Sequence, residues 1–78
     1  MKALFVQIKC ELGRAYDVAA SIADSEIASE IYSTAGEFDL LVKCYLEDEV
    51  DPGHFVTDAI QRFDGIRDTR TIMTFRAF

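Results

Sequence analysis

A glycine turn followed by a carboxylate is the stretch of this sequence best suited to bind a small molecule. Gly36 lies between two strand-like runs, residues 27–34 and 39–46, and Asp39 follows it by three positions. Glycine adopts positive φ without steric cost, and its missing side chain lets another molecule approach the backbone. Backbone N–H groups near Gly36 could bind the carboxylate of a small zwitterion, and Asp39 could accept from its ammonium group. The alternative is an ordinary hairpin turn, in which glycine and aspartate are common.

The other residues with chemical potential are one histidine and two cysteines. His54 falls in the first turn of a predicted helix with no nucleophile beside it, so we interpret it as a surface residue. Cys10 and Cys44 form no CxxC motif and have no neighbouring base, and we predict buried free thiols on the helix-facing side of two adjacent strands. Zinc sites use several ligands at short recurring spacings, and no such spacing occurs. We therefore predict no catalytic residue, no metal site and no cofactor.

Length and charge restrict the possible functions further. The 78 residues predict one domain, residues 1–78, and half of them are apolar, which argues against disorder. The net charge of −6 argues against direct binding to nucleic acid, because cations are needed to displace counterions from phosphates. The first residues lack the long apolar region of a signal peptide, and no membrane-spanning run follows. We expect a cytoplasmic protein that binds neither nucleic acid nor membrane by itself.

Strand and helix patterns alternate along the chain and position the Gly36 turn. Leu4, Val6, Ile8 and Cys10 recur with the period of two that is typical of a strand. Proline directly after Asp51 is a specific helix-start signal. The patterns predict, in order, a strand over 4–10, a helix over 15–22, an edge strand over 27–34, a central strand over 39–46, a helix from Asp51-Pro52 to Asp64-Gly65 and a final strand within 66–78.

The resulting order, βαββαβ, predicts an α+β, ferredoxin-like fold. Right-handed crossovers place both helices on one face of a four-stranded antiparallel sheet and leave the other face open. An open face that carries several large apolar residues is unusual on a soluble monomer, so we predict a homodimer in which the open faces stack, with Lys9 or Lys43 pairing with Glu30 across the interface. The large or charged residues predicted on the open face are Phe5, Tyr32, Leu41 and Tyr45, beside Lys9, Glu30 and Lys43.

The element order and two stretches resemble the ligand-binding half of the Lrp/AsnC, or feast/famine, transcriptional regulators, which is called the RAM domain. In residues 32–43 an aromatic, a Thr-x-Gly and an aromatic-Asp pair lead into a strand, and residues 63–71 are similar to the family's passage from helix to last strand, with its Thr-x-Thr pair. The resemblance covers essentially the whole chain. Full-length regulators also carry an N-terminal helix-turn-helix domain, so the resemblance implies a stand-alone version of the module.

The resemblance implies dimers that assemble into a ring with an amino-acid effector bound between them. It implies a non-enzymatic amino-acid-binding and oligomerisation module linked to transcriptional regulation of amino-acid metabolism, acting with or against full-length regulators. Threonine hydroxyls, a bare glycine turn and a carboxylate suit such a ligand. The ligand-binding residues it implies are Thr34, Gly36, Phe38, Asp39, Thr69 and Thr71.

Two other functions remain open from the sequence. One is a purely structural assembly module without a ligand, in which Asp39 brackets the hairpin, Phe38 packs, and Thr69 and Thr71 are ordinary strand residues. The other is a small enzyme on a dimeric α/β barrel. An enzyme would need a polar pocket between sheet and helices, and the residues predicted to face that space are apolar, so we expect no enzymatic activity.

Overall fold

Seven segments of regular structure follow one another in the computed structural model, which describes residues 1–78. The predicted order βαββαβ is confirmed, with one addition: the second helix continues into a short π-helical turn, called the π turn below. The segments are β1 (Lys2–Cys10), α1 (Ala15–Ser25), β2 (Glu30–Ser33), β3 (Leu40–Leu46), α2 (Pro52–Phe55), the π turn (Val56–Ile60) and β4 (Ile66–Met73).

The four strands form one antiparallel sheet in the order β2-β3-β1-β4. Val6 of β1 lies opposite Val42 of β3 on one side and opposite Thr71 of β4 on the other. The two strands with the strongest apolar alternation are therefore the central pair, and β2 is an edge strand, as the sequence predicts. The ferredoxin-like α+β fold is confirmed.

The core lies between the sheet and the helices. Alternate residues of β1 and β3 are buried, which is the pattern of strands that cover a core with one face. The buried side chains of α1 and the π turn pack on that same face, so both helical segments lie on one side of the sheet. The buried cluster comprises Leu4, Val6, Ile8, Cys10, Val18, Ile22, Leu40, Val42, Cys44, Leu46, Val56 and Ile60.

The second helix is shorter than the sequence predicts. Its start is as expected, because Asp51 Oδ2 accepts a hydrogen bond from the His54 N–H at 2.9 Å and Pro52 occupies the first helical position. After Phe55, however, the helix widens, and the Gln61 N–H donates to the Val56 carbonyl five residues earlier at 2.8 Å. The wider turn displaces Gln61 from the position that a regular α-helix would give it.

The second strand is also shorter than predicted, and the fourth lies within the predicted range 66–78. β2 begins at Glu30 instead of Ile27, because Ile27 and Ala28 pack against the core before the chain joins the sheet. β4 ends at Met73, and the Thr74 hydroxyl donates to the Ala3 carbonyl at 2.6 Å where the ladder stops. Residues 74–78 leave the sheet.

The face of the sheet opposite the helices is open, as predicted. Tyr32 and Tyr45 are each about half exposed. Lys43 lies between aromatic rings, with its Nζ 5.0 Å from the centre of the Tyr45 ring and 5.9 Å from that of Phe5. Its Nζ also lies 3.4 Å from Glu30 Oε2, because Glu30 and Lys43 are opposite each other in the β2–β3 ladder. These charges pair within one chain, and the pairing of Lys9 or Lys43 with Glu30 across an interface stays a prediction.

None of the helices combines the length and the apolar character needed to cross a membrane.

Candidate ligand-binding site

The hairpin between β2 and β3 is closed by Thr34. Its hydroxyl donates to the Phe38 carbonyl at 2.9 Å, and its N–H donates to the Asp39 carbonyl at 2.9 Å. Gly36 has φ of +99°, and a Cβ placed there would meet no atom within 4 Å. Only the backbone conformation requires glycine, and the space above the turn is open to another molecule.

Asp39 ties the hairpin to the end of β1. Its Oδ2 accepts a hydrogen bond from the Cys10 N–H at 2.8 Å, and its own N–H donates to the Ile8 carbonyl at 2.8 Å. This bracket lies beside the register shift between Lys9 and Cys10 in the pairing of β1 with β4. The second carboxylate oxygen, Oδ1, is in no hydrogen bond within the chain. Asp39 therefore has the structural role of a bracket that uses one of its two carboxylate oxygens.

Phe38 is a packing residue at the base of the same hairpin. Its side chain is only 8% exposed, yet it lies outside the main buried cluster. The guanidinium carbon of Arg70 lies 5.2 Å from the centre of its ring. Arg70 thus brings a cation to the hairpin. Arg70 is the middle residue of the Thr-x-Thr pair, and that pair was the sequence signal that could have identified it.

Thr69 lies outside the hairpin, in a shallow polar depression of about 270 Å³ between the end of the π turn and the start of β4. Its hydroxyl accepts a hydrogen bond from Gln61 Nε2 at 2.7 Å, and its N–H donates to Asp68 Oδ1 at 2.9 Å. The lining brings together an amide, a hydroxyl, a cation and a carboxylate. The residues around the depression are Gln61, Ile66, Arg67, Asp68 and Thr69.

Gln61, Arg67 and Asp68 were not among the residues inferred from the sequence. Gln61 reaches Thr69 because the π turn widens the helix, and no local sequence pattern predicts that turn. Arg67 and Asp68 directly precede Thr69, and their opposite charges beside the Thr-x-Thr pair were the available signal.

The hairpin and the depression lie at the same end of the sheet, on either side of β1. Asp39 is bonded to Ile8, and Ile8 lies opposite Thr69. Adjacent strands are about 4.8 Å apart, so the backbones of β3 and β4 are about 10 Å apart here. The structure thus brings Thr34, Gly36, Phe38 and Asp39 together in the hairpin, places Thr69 in the depression, and leaves Thr71, an exposed residue of β4, in neither.

The remaining candidates are where the sequence places them. His54 is exposed, and its Nδ1 lies 3.7 Å from Asp51 Oδ2 at the start of α2. Cys10 and Cys44 are buried free thiols, as predicted. Cys44 lies opposite Leu4, six positions from Cys10, which places the two thiols about 20 Å apart along the central strands.

The surroundings of both thiols disfavour the reactive thiolate form. Burial, and secondly the negative charge of Asp39, raise the pKa of the Cys10 thiol, and burial raises the pKa of Cys44. No group of three or more histidine, cysteine or acidic side chains is arranged to hold a metal ion.

The family profile described as the Lrp/AsnC ligand binding domain matches residues 3–78. Among curated proteins, the chain is 28% identical over 72 residues to the HTH-type transcriptional regulator FL11 of Pyrococcus abyssi, covering 92% of this chain and 47% of FL11. The chain therefore spans about half the length of the curated relatives that it matches.

Solved structures share the fold of the chain. TTHA0845 from Thermus thermophilus superposes with a TM-score of 0.88 at 31% identity, over 100% of this chain and 98% of that one. The transcriptional regulator NMB0573 of Neisseria meningitidis, solved as a complex with L-Met, superposes with a TM-score of 0.80 at 21% identity, over 96% of this chain and 50% of that one. At that lower identity the likeness shows the shared fold.

Proposed function

The chain belongs to the Lrp/AsnC ligand-binding domain family, and from that premise we propose that it is a non-enzymatic module that binds an amino acid and assembles into homo-oligomers. The relatives are transcriptional regulators, so the proposed task is to sense an amino acid on behalf of such regulators. The polar depression around Thr69 is the observation that carries the proposal.

The depression has the chemistry that an α-amino acid requires. The guanidinium of Arg67 can bind the ligand carboxylate, and the carboxylate of Asp68 can accept from the ammonium group. Gln61 and Thr69 are already hydrogen-bonded to each other, so their remaining donors and acceptors are held in fixed positions. A site with fixed polar groups loses little entropy when a ligand binds.

The Gly36 hairpin supplies the other half of the proposed site, from a neighbouring dimer. One chain presents the depression, and another presents the open backbone of Gly36, the Asp39 Oδ1 atom and the Thr34 hydroxyl. Phe38, which lies in the hairpin, and Thr71, which is exposed on β4, complete the ligand-binding residues that the family resemblance implies. The Met complex of the Neisseria regulator supports an amino acid as the ligand, since the two proteins share the fold.

The open sheet face supports the proposed homodimer. Two half-exposed tyrosines, Phe5 and the Glu30–Lys43 pair form a continuous surface, and stacking two such faces would remove it from water. We propose that dimers of this kind join into a ring through the hairpins, and that the chain acts with or against full-length regulators. A ligand shifts such an equilibrium only if it prefers one assembly state.

A small enzyme is disfavoured by the space between sheet and helices. That space is filled by apolar side chains, and no polar or charged residue is buried in the chain. General acid–base chemistry needs a titratable group within hydrogen-bond reach of a substrate. We therefore propose binding and assembly as the function in preference to catalysis.

Native mass spectrometry with each of the twenty amino acids tests the proposal. We expect dimers and rings that retain one amino acid, and at least a roughly tenfold weaker affinity in Asp68→Asn, which removes the charge opposite the ammonium group. Asp24→Asn is the control, because Asp24 is an exposed residue of α1 and the charge change is identical. Oligomers that bind none of the twenty would instead indicate a structural assembly module, and a monomer would refute the assembly.

A further inference from the structure

The segment that follows β4, residues 74–78, contains two aromatic side chains that are not packed in the core, and the guanidinium carbon of Arg76 lies 5.4 Å from the centre of the Phe78 ring. Phe75 and Phe78 are both fully exposed. The segment is held at its start, where the Thr74 hydroxyl donates to the Ala3 carbonyl at 2.6 Å. Exposed phenylalanines in an anchored segment are costly in water, since each aromatic side chain buries about 150–250 Å² when it finds a partner.

The same segment forms one wall of a groove of about 410 Å³ on the open sheet face. The floor of the groove carries Phe5, Tyr45 and Lys43, and no acidic side chain lines it. Three cations line the groove, and an aromatic ring face is a suitable partner for an ammonium or guanidinium group that leaves water. The cations are Lys2, Lys43 and Arg76.

We propose that the segment 74–78 is a clasp in which Phe75 and Phe78 of one copy occupy the open-face groove of a second copy. The proposal rests on the sheet-stacked dimer proposed above and adds to it which residues are exchanged. Stacked sheets lie about 10 Å apart, so a segment that stands off its own sheet meets the partner's sheet. The second copy is the occupant, because the two fully exposed rings contact almost nothing in their own chain, and the groove beside them is lined by aromatic residues and cations.

The area involved is that of a stable interface. Four phenylalanine rings, two from each copy, would bury about 600–1,000 Å² of their own surface. Stable dimers bury about 1,200–2,000 Å² in total, so the clasp together with the stacked faces reaches that range. The groove and the segment both lie at the end of the sheet where β1 begins with Lys2. Each copy can therefore place its segment in the other's groove only if a two-fold axis brings the Lys2 ends of the two β1 strands together.

Sedimentation equilibrium of the wild-type chain and a double variant, Phe75→Ser with Phe78→Ser, tests the clasp. We expect the dimer Kd to rise at least roughly a hundredfold, with an unchanged far-UV circular dichroism spectrum because neither ring contributes to the fold of one chain. The control is Leu12→Ser with Tyr16→Ser, which removes exposed apolar side chains at the opposite end of β1. An unchanged Kd, or equal weakening in both double variants, would overturn the clasp and leave the dimer intact.

Disulfide trapping identifies whose groove is occupied. A ¹⁵N-labelled chain with Phe78→Cys is mixed with an unlabelled chain with Lys2→Cys and oxidised mildly, and Asp24→Cys replaces Phe78→Cys in the control. We expect the mixed-mass disulfide dimer with Phe78→Cys only. A chain that carries both Phe78→Cys and Lys2→Cys is oxidised in parallel. If its disulfide bond forms within the chain, and no bond forms between chains, the segment folds onto its own groove and the proposal is wrong. A wild-type chain that is monomeric at micromolar concentration would overturn both the dimer and the clasp.

Discussion

Asp39 is assigned two separable roles, a bracket to β1 and a ligand oxygen, and two substitutions distinguish them. Asp39→Ala removes both carboxylate oxygens. Asp39→Asn keeps a side-chain acceptor of the same shape for the Cys10 N–H and removes only the negative charge. The pair of variants therefore separates the hydrogen bond that holds the hairpin from the charge that would bind an ammonium group.

The expected loss of stability follows from the partly buried Cys10 N–H. Asp39→Ala leaves that N–H without its acceptor, which costs about 1–3 kcal/mol. For a domain of this size each kcal/mol lowers Tm by about 4–8 °C, so we expect a fall in Tm of about 4–24 °C. Asp39→Asn exchanges a charged acceptor for a neutral one, and the expected cost is about 1 kcal/mol.

The expected loss of affinity follows a different order. Both variants lack the negative charge, so both should bind the amino acid at least roughly tenfold more weakly than wild type. Stability should thus decrease from the wild type to Asp39→Asn and then to Asp39→Ala, whereas the two variants should lose affinity for the amino acid by the same factor. Differential scanning calorimetry measures the first quantity and titration calorimetry the second.

Two results would refute this reasoning. If Asp39→Ala melts at the wild-type temperature, the hydrogen bond to Cys10 does not hold the hairpin. If Asp39→Asn binds the amino acid as tightly as wild type, Asp39 does not bind the ammonium group and is a structural bracket alone.

Three further predictions concern the open face, the turn and the core thiols. The hydrogen bond from Tyr32, and then that from Lys43, lower the pKa of Glu30. The stability that ionised Glu30 adds to the fold of one chain is therefore present above its unfolded-state pKa and is lost as pH falls through the lowered value. Acid should lower Tm, and Glu30→Gln should flatten that dependence in thermal unfolding; the same pH dependence in both proteins would contradict the assigned pairing. Gly36→Ala should cost about 1–2 kcal/mol in a urea titration, because of its positive φ and not because of a clash; no change would contradict the assigned turn. Cys44 should react with a thiol reagent only when the chain unfolds, and rapid labelling of the native protein would contradict its burial.

The fold was predictable because its signals are local and agree with one another. The apolar alternation in residues 4–10 and 40–46 gave the two central strands, and Asp51-Pro52 gave the start of the second helix within a residue. The start of β2 was wrong, and the end of β4 within 66–78 was not predicted, both for tertiary reasons. Ile27 has the right composition for a strand but packs against the core, and the ladder beside Ala3 is ended by the Thr74 hydroxyl.

The candidate site was only partly predictable, because its parts are far apart in the sequence. The hairpin was identified from Gly36 and Asp39, but the use of Asp39 Oδ2 by the Cys10 N–H depends on the meeting of two strands. Gln61 was missed because its position depends on a π turn, and such turns are frequently found at functional sites in helices. A change of helical width leaves no trace in the apolar periodicity that predicts a helix.

The separation between the hairpin and the depression connects ligand binding to assembly. Within one chain the two surfaces lie on either side of β1, about 10 Å apart across two strand spacings, whereas the carboxylate and ammonium groups of an amino acid are attached to the same carbon atom. The carboxylate and ammonium groups of one amino acid therefore cannot contact the hairpin and the depression of the same chain at once. In the proposed ring, a hairpin from a second dimer placed against the depression would allow both contacts, and the ligand would then bind the assembled state more tightly than the separate dimers. By linkage, the same difference in affinity is the free energy with which the amino acid stabilises the assembly.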